Sequence, residues 1–138
     1  MQINSKEVLL IYDDHLMRDR KARSLALSLP RYTCKEWNLR SQQLTERQIA
    51  ELAQRLNLKV KDLVATNSET FKDNYTESDL DDHDWLTTLK ENPDMMRTPI
   101  VLFQSMGRVL DSGFDLIKKK MKHESIQNTM AGKQEKQH

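Results

Sequence analysis

The stretch that decides the fold lies in the last third of the chain, at residues 97–117, and reads RTPIVLFQSMGRVLDSGFDLI. Its proline is followed by an apolar run, Ile100 to Phe103, which predicts a buried strand. Gln104 to Gly107 is a short turn that ends in glycine, a residue that adopts backbone angles others resist. Arg108 to Leu110 predicts a second strand, and Ser112 is placed to cap a closing helix. The segment therefore predicts a β-hairpin followed by a helix.

The amino-terminal part of the chain predicts a strand-helix-strand unit. Val8 to Tyr12 is an apolar run that includes two β-branched residues, which is typical of a central strand covered on both faces. Asp13 and Asp14 end that strand and are predicted helix caps. Residues 32–37 predict a second, weaker strand, and a strand-helix-strand unit of this length should make a right-handed crossover with parallel strands. The helix between them carries apolar residues at helical spacing, namely Ala22, Leu25, Ala26 and Leu29.

The middle of the chain is predicted to be helical. Thr45 and Gln48 have the spacing of a capping box, which opens a helix. Asn57 is predicted to end that helix in a left-handed conformation. A further helix carries Trp85 and must end near Asn92, because the next residue is proline and restricts the residue before it.

Composition excludes several classes of function. Lys and Arg number 22 against 21 Asp and Glu, so the net charge of +1 gives no electrostatic argument for nucleic acid or for an anionic membrane. The polar amino terminus and the short apolar runs predict neither a signal peptide nor a transmembrane helix. Cys34 is the only cysteine, which excludes an intramolecular disulfide and makes a structural zinc site unexpected. We therefore expect a cytoplasmic protein.

The elements of residues 97–117 resemble those of a known family. Arg-Thr-Pro-Ile-Val, a turn and Gly-Arg-Val-Leu are similar to the C-terminal signature of the arsenate reductase (ArsC) family and its Spx relatives. The resemblance extends to LTTLKENPDMM at residues 86–96 and to LNLKVKDLV at residues 56–64. Together these segments place the similarity over roughly residues 6–118, most of a small domain.

This resemblance implies an α/β, thioredoxin-like fold. Its order would be β-α-β, a helical insertion at about residues 45–92, and then β-β-α, around a four-stranded mixed sheet. The ArsC-like domain would occupy residues 1–120. Residues 121–138 are rich in Lys, Gln, Ser and Glu and are predicted to form a disordered tail.

The residue at the position of the family's nucleophile is Met17. In the family the first strand runs into Tyr-x-x-Pro-x-Cys-x-x-Ser-Arg/Lys, and the cysteine lies at the start of the first helix, where the helix dipole favours a thiolate. Laid on this chain from Tyr12, the pattern places Met17 at the cysteine, and residues 1–33 contain no cysteine. Methionine forms neither a thiolate nor a disulfide. The resemblance thus implies a divergent member that lacks the catalytic cysteine.

Basic residues are the candidates for anion or ligand binding. By resemblance, the arginine that follows the family's DLL segment is Ala65 here, whereas Arg97 and Arg108 retain two cations of the family's oxyanion site. One interpretation joins them with three basic residues of the first helix into an anion-attracting rim around Met17. The other interpretation treats those three as a solvated helix face. They are Arg18, Arg20 and Lys21.

Pro99 and Cys34 each have two interpretations. By resemblance the Thr98–Pro99 bond is a candidate cis bond beside the active-site loop, where a backbone edge could accept an extended peptide or a glutathione-like backbone. Alternatively the proline only constrains folding. Cys34 is either a relocated nucleophile or, as the burial of free cysteines favours, a small buried hydrophobe.

The acidic run ESDLDDHD at residues 77–84 does not predict a metal site. It lacks the glycine and the closing glutamate of a calcium loop. Acidic residues are favoured in the first turn of a helix, because they complement its dipole. No metal and no cofactor are predicted.

The leading hypothesis is a degenerate ArsC-like protein that acts as a binding or regulatory module and not as a working arsenate reductase. Its expected partner is a protein, by analogy with Spx relatives that bind RNA polymerase, without direct contact to nucleic acid or membrane. The alternative is a thiol oxidoreductase that uses Cys34 through a mixed disulfide with glutathione or thioredoxin. A third hypothesis is a binder of a small anion such as arsenate, phosphate or sulfate.

Overall fold

A four-stranded mixed sheet forms the centre of the fold in a computed structural model, which describes residues 1–74 and 80–110. The strand order is β2-β1-β3-β4, with β1 parallel to β2 and antiparallel to β3, and β3 antiparallel to β4. The predicted mixed sheet and α/β class are therefore confirmed. The strands are β1 (Glu7–Tyr12), β2 (Thr33–Asn38), β3 (Ile100–Leu102) and β4 (Gly107–Val109).

Four α-helices connect the described strands. Helix α1 (Met17–Leu27) links β1 to β2. Three more lie between β2 and β3, together with short 3-10 turns at Val60–Leu63 and Pro93–Met95. They are α2 (Glu46–Arg55), α3 (Glu69–Asn74) and α4 (Asp82–Glu91).

Both faces of the sheet are covered, as the sequence of β1 predicts. Val8, Leu10 and Tyr12 point to the side of α1 and pack with Ala26. Leu9 and Ile11 point to the other side, where α2 and α4 pack. Leu10 and Ile11 are both fully buried, so this strand is the shared wall of two apolar cores. Burial of a side chain of this size stabilises the fold by about 1.5–3 kcal/mol.

Local sequence signals predict several helix ends correctly. The Thr45 hydroxyl accepts a hydrogen bond from the backbone N–H of Gln48 at 3.1 Å, and the Gln48 side chain accepts one from the N–H of Thr45 at 3.0 Å. Asn57 follows α2 with φ of 57°, the predicted left-handed conformation. Helix α4 ends at Glu91, just before Asn92 and Pro93.

The role predicted for Gly107 is wrong. This glycine lies within β4 instead of ending the turn, and its φ is not positive. A Cβ atom at this position would lie 2.4 Å from Cδ2 of Leu102 and 3.1 Å from Cδ2 of Leu56. Close approach of neighbouring side chains, and not an unusual backbone angle, is what requires glycine here.

The predicted closing helix, with its cap at Ser112, and the predicted tail at residues 121–138 lie outside the described residues. The domain limits of 1–120 therefore stay predictions.

Replacing Thr45 with alanine removes the hydroxyl of the capping box, and we expect the free energy of unfolding to fall by about 1 kcal/mol. Urea denaturation monitored by circular dichroism measures this difference. Thr45→Ser keeps the hydroxyl and serves as the matched control. Equal losses in the two variants would show that the cap does not stabilise α2.

Candidate functional site

The candidate site lies at the carboxyl end of β1, where residues 13–16 lead into α1. Met17 is the first residue of this helix, and 63% of its surface is exposed. The preceding residue, Leu16, is 40% exposed. Position 17 is therefore at a helix N-terminus and open to solvent, the surroundings that the resemblance ascribes to a nucleophile. The atom presented there is a thioether sulfur, which cannot ionise.

Asp13 anchors the start of this loop and does not cap α1, so the predicted capping role is wrong. Its carboxylate accepts two hydrogen bonds from the guanidinium of Arg40, from Nε at 2.8 Å and from a terminal nitrogen at 3.0 Å. The backbone N–H of His15 donates to the same carboxylate at 2.9 Å. Burial by itself raises the pKa of Asp13, but these bonds outweigh it and hold the pKa below its ordinary value.

Asp14 does not cap the helix either. Its carboxylate accepts a hydrogen bond from the side-chain amide of Asn38 at 2.8 Å, and its carbonyl accepts one from Arg20 at 2.8 Å. The N-cap position of α1 is Leu16, whose side chain offers no acceptor. Both aspartates hold the loop to its neighbours, Asp14 through the last residue of β2.

A second buried carboxylate, Asp19, closes the loop from within α1. It is fully buried and accepts hydrogen bonds from the backbone N–H of Asp13 at 2.9 Å and from Nε of Arg18 at 3.2 Å. The same guanidinium donates to the carbonyl of Thr98. Arg18 therefore ties α1 to the segment that enters β3. An acidic group in the first turn also complements the helix dipole.

The Thr98–Pro99 bond is cis, as the resemblance predicts. Pro99 is buried, and its carbonyl accepts the N–H of Leu110 at 2.8 Å. Because Arg18 already bonds the Thr98 carbonyl, that group is engaged within the protein.

The structure divides the predicted cationic residues between two places. Arg18 and Arg20 bond carbonyls around the loop, and Lys21 is exposed on α1. Arg97 donates to the carbonyl of Asp62 at 2.9 Å and, with Arg108, lines a cavity of about 520 Å³. None of the three α1 cations lines that cavity within the described part of the chain.

Cys34 lies away from the candidate site. It pairs with Val8 near the start of β2, four residues before Asn38, which is about 13 Å along a strand. The side chain is half-buried on the α1 side of the sheet. Burial, with a smaller contribution from Glu36, raises the pKa of the Cys34 thiol to about 11. At neutral pH this sulfur is protonated and a poor nucleophile.

The acidic residues of the run at 77–84 that the structure describes serve α4. Asp81 is its N-cap and accepts a hydrogen bond from the N–H of Asp84 at 2.8 Å. Among residues 1–74 and 80–110, no cluster of three His, Cys, Asp or Glu side chains has the geometry to hold a metal ion. Over the same ranges, no helix is both long and apolar enough to span a bilayer.

Comparison with solved structures identifies the fold. An arsenate reductase from Vibrio cholerae superposes with a TM-score of 0.72 at 19% identity, over 83% of this chain and 98% of that one. A Yersinia pestis protein assigned as an arsenate reductase gives 0.71 at 18% identity, over 80% and 98%. A Bacteroides fragilis protein described as ArsC family related gives 0.65 at 17% identity, over 83% and 98%.

The chain has the ArsC thioredoxin-like fold. This confirms the predicted fold class, while identities below 20% carry no information on activity. No family model matches the sequence, and no curated protein is detectably similar to it.

Sequence reasoning missed three residues of these sites. Arg40 follows β2 by two residues, and Asp13 directly follows β1. Because parallel strands bring their carboxyl ends to one edge of the sheet, the contact between Arg40 and Asp13 could have been anticipated. Asp19 had a weaker signal, its place in the first turn of α1. Arg55 had none, because its contact with the cavity depends on how α2 packs.

Replacing Arg40 with methionine leaves the buried Asp13 carboxylate without its partner. We expect the free energy of unfolding at neutral pH to fall by about 2–3 kcal/mol, less than for a fully buried pair because a third of the Arg40 side chain stays in water. Because the pKa of Asp13 is lowered by folding, this stabilisation is present above the unfolded pKa. It is lost as the pH falls through the folded value, so the two proteins should converge in acid.

Urea denaturation across this pH range measures the effect. Arg23→Met is the matched control, because the Arg23–Glu36 pair is exposed and solvent screening should leave it a smaller contribution than the Arg40–Asp13 pair. A loss from Arg40→Met no greater than the control's, or one that does not shrink in acid, would contradict the assignment.

Proposed function

We propose that this chain is an ArsC-fold protein that acts by binding a partner and not by thiol redox catalysis. One observation carries the proposal: Met17, 63% exposed, is the first residue of α1 where the resemblance places a cysteine nucleophile. The helix N-terminus and the neighbouring Arg18 would both lower the pKa of a thiol at this position. A thioether has no proton to lose, so neither the helix N-terminus nor Arg18 can convert Met17 into a nucleophile of this kind.

The loop geometry supports a binding role. Two buried carboxylates and their arginine partners tie residues 13–16 to the end of β2, to α1 and to the segment before β3, and the surface beside them presents a thioether in place of a thiol. Leu16 and Met17 are two of three large apolar side chains exposed in the described residues, and they are adjacent. Methionine is over-represented at protein-binding surfaces, because its flexible side chain adapts to a partner. We therefore propose a protein as the partner.

The alternative, a thiol oxidoreductase linked to glutathione or thioredoxin, depends on Cys34. Its raised pKa and its place near the start of β2 do not favour this reaction. The small-anion hypothesis has support only from the cationic cavity, which is treated below as part of a larger surface.

The direct test is an arsenate reductase assay on the full chain, with glutathione and with thioredoxin as electron donors. We expect no arsenite formation above the protein-free background, and no difference between the wild type and Cys34→Ser. Turnover by the wild type that Cys34→Ser abolishes would replace this proposal with the thiol enzyme. Turnover that survives in Cys34→Ser would overturn the proposal as well.

Replacing Met17 with cysteine tests whether position 17 has the surroundings of a nucleophile. In a Cys34→Ser background we expect the pKa of the new thiol to lie below about 7.5, because the helix N-terminus favours the thiolate. The pH dependence of alkylation by iodoacetamide measures this pKa. Leu27→Cys is the matched control: Leu27 is 47% exposed and is the last residue of the same helix, where the dipole has the opposite sign. A pKa at position 17 no lower than at position 27 would contradict the assignment.

A further inference from the structure

Strand β4 leaves one edge of the sheet unpaired within the described residues. The N–H of Phe103 donates to Met106 at 2.7 Å, and the N–H of Leu110 donates to Pro99 at 2.8 Å. Hydrogen-bonded pairs alternate along an antiparallel ladder, so between Met106 and Leu110 the residue whose backbone bonds β3 is Arg108, opposite Val101. The N–H and C=O groups of Gly107 and Val109 therefore point away from the sheet.

A cationic cavity of about 520 Å³ lies beside this edge. No carboxylate is among its described lining residues, although the protein as a whole is nearly neutral. Three arginines are among its lining residues, and apolar or amide residues supply the remainder. The lining residues that the inference uses are Arg55, Arg97, Arg108, Leu56 and Leu58.

The charges of these three arginines are not neutralised by the groups they bond. Arg97 donates to the carbonyl of Asp62, and Arg55 donates to the carbonyls of Met1 and Phe103. Carbonyl oxygens fix the orientation of a guanidinium group but carry no net charge. Arg108 is exposed and forms no ion pair within residues 1–74 and 80–110.

The arginines flank the edge from both faces. Arg108 is paired with Val101 and so leaves β4 on the α1 side of the sheet. Leu56 packs over Gly107 on the opposite side of the sheet. Arg55, the last residue of α2, directly precedes Leu56. An extended segment laid along β4 would therefore meet cationic groups above and below its backbone.

We propose that the edge of β4 takes an extended acidic segment of a partner protein as an added strand. The free groups of Gly107 and Val109 would pair with its backbone, and its carboxylates would bind Arg55, Arg97 and Arg108. This inference rests on the proposed binding function and names the class of its partner.

Charge disfavours a second copy of this chain as the occupant of the β4 edge. Two copies of this chain joined edge to edge would bring their cationic edges together, and like charges directly opposite each other destabilise a strand pair. Charged residues on an edge strand commonly discourage pairing with other chains. Here the same charge would select an acidic strand over neutral or basic ones.

Fluorescence anisotropy with the full chain tests this surface. The probe is a labelled, blocked peptide, Val-Glu-Glu-Val-Glu-Glu-Val, which presents carboxylates on both faces of an extended strand. Two control peptides keep its length: one replaces every glutamate with glutamine, and one carries N-methyl groups at alternate backbone nitrogens. We expect the acidic peptide to bind, to weaken with added salt, and to outbind both controls by at least about tenfold.

Protein variants separate charge from strand pairing. Arg97→Gln and Arg108→Gln should each weaken binding by about tenfold, whereas Arg47→Gln, on the exposed face of α2, should not change it. Val109→Pro removes the outward N–H while leaving the bonds to β3, because proline is tolerated at such edge positions. It should also weaken binding by about tenfold. Circular dichroism and urea denaturation check that each variant folds.

Three results would overturn the inference: no binding of the acidic peptide, equal binding of the N-methylated peptide, or binding unchanged by Arg97→Gln and Arg108→Gln. Self-association in sedimentation equilibrium that Val109→Pro abolishes would assign the edge to a second copy and overturn it too. Arsenate reduction by the full chain would overturn the proposed function, independently of the result with the peptide. If the chain shows no arsenate reduction and the acidic peptide does not bind, only this inference is overturned.

Discussion

Burial of β1 on both faces and along both edges is the constraint on which the rest of the structure depends. Its residues from Val8 to Tyr12 are nearly or fully inaccessible, and the strand pairs with β2 on one side and β3 on the other. A strand in this position fixes where its carboxyl end lies. The loop that follows must therefore emerge beside the end of β2 and the cis peptide before β3. The candidate site is a consequence of that placement.

The polar groups of the loop are used to hold its shape. Asp13 and Asp19 would be costly to bury alone, and each has charged and backbone donors within hydrogen-bonding distance. Their arginine partners come from elements far apart in sequence, since Arg40 follows β2 while Arg18 reaches the segment before β3. The network joins three strands through one loop and leaves Met17 facing solvent at the start of α1.

The two cationic regions differ in how their charge is balanced. Around the loop, Arg18 and Arg40 bond buried carboxylates, which balance their charge. Beside β4, arginines meet carbonyl oxygens, and positive charge remains for a ligand. The sequence places basic residues in both regions without distinguishing them. The difference arises from which acceptors the fold brings within reach.

The sequence by itself determined the features that depend on neighbouring residues. It predicted β1, the capping box at Thr45, the left-handed Asn57 and the absence of an ionisable sulfur at position 17, because strand periodicity, caps and residue identity act within a few residues. The resemblance of residues 97–110 to a known family added the topology.

Only the tertiary structure decided the pairings between distant residues. Asp13 and Arg40 are 27 residues apart, and Arg55 reaches the same cavity as Arg108 although more than fifty positions separate them. The sequence predicts that Gly107 ends a turn, yet it lies within β4, where Leu102 and Leu56 come too close to leave room for a Cβ atom. Such contacts depend on how whole elements pack, and a local pattern carries no record of that packing.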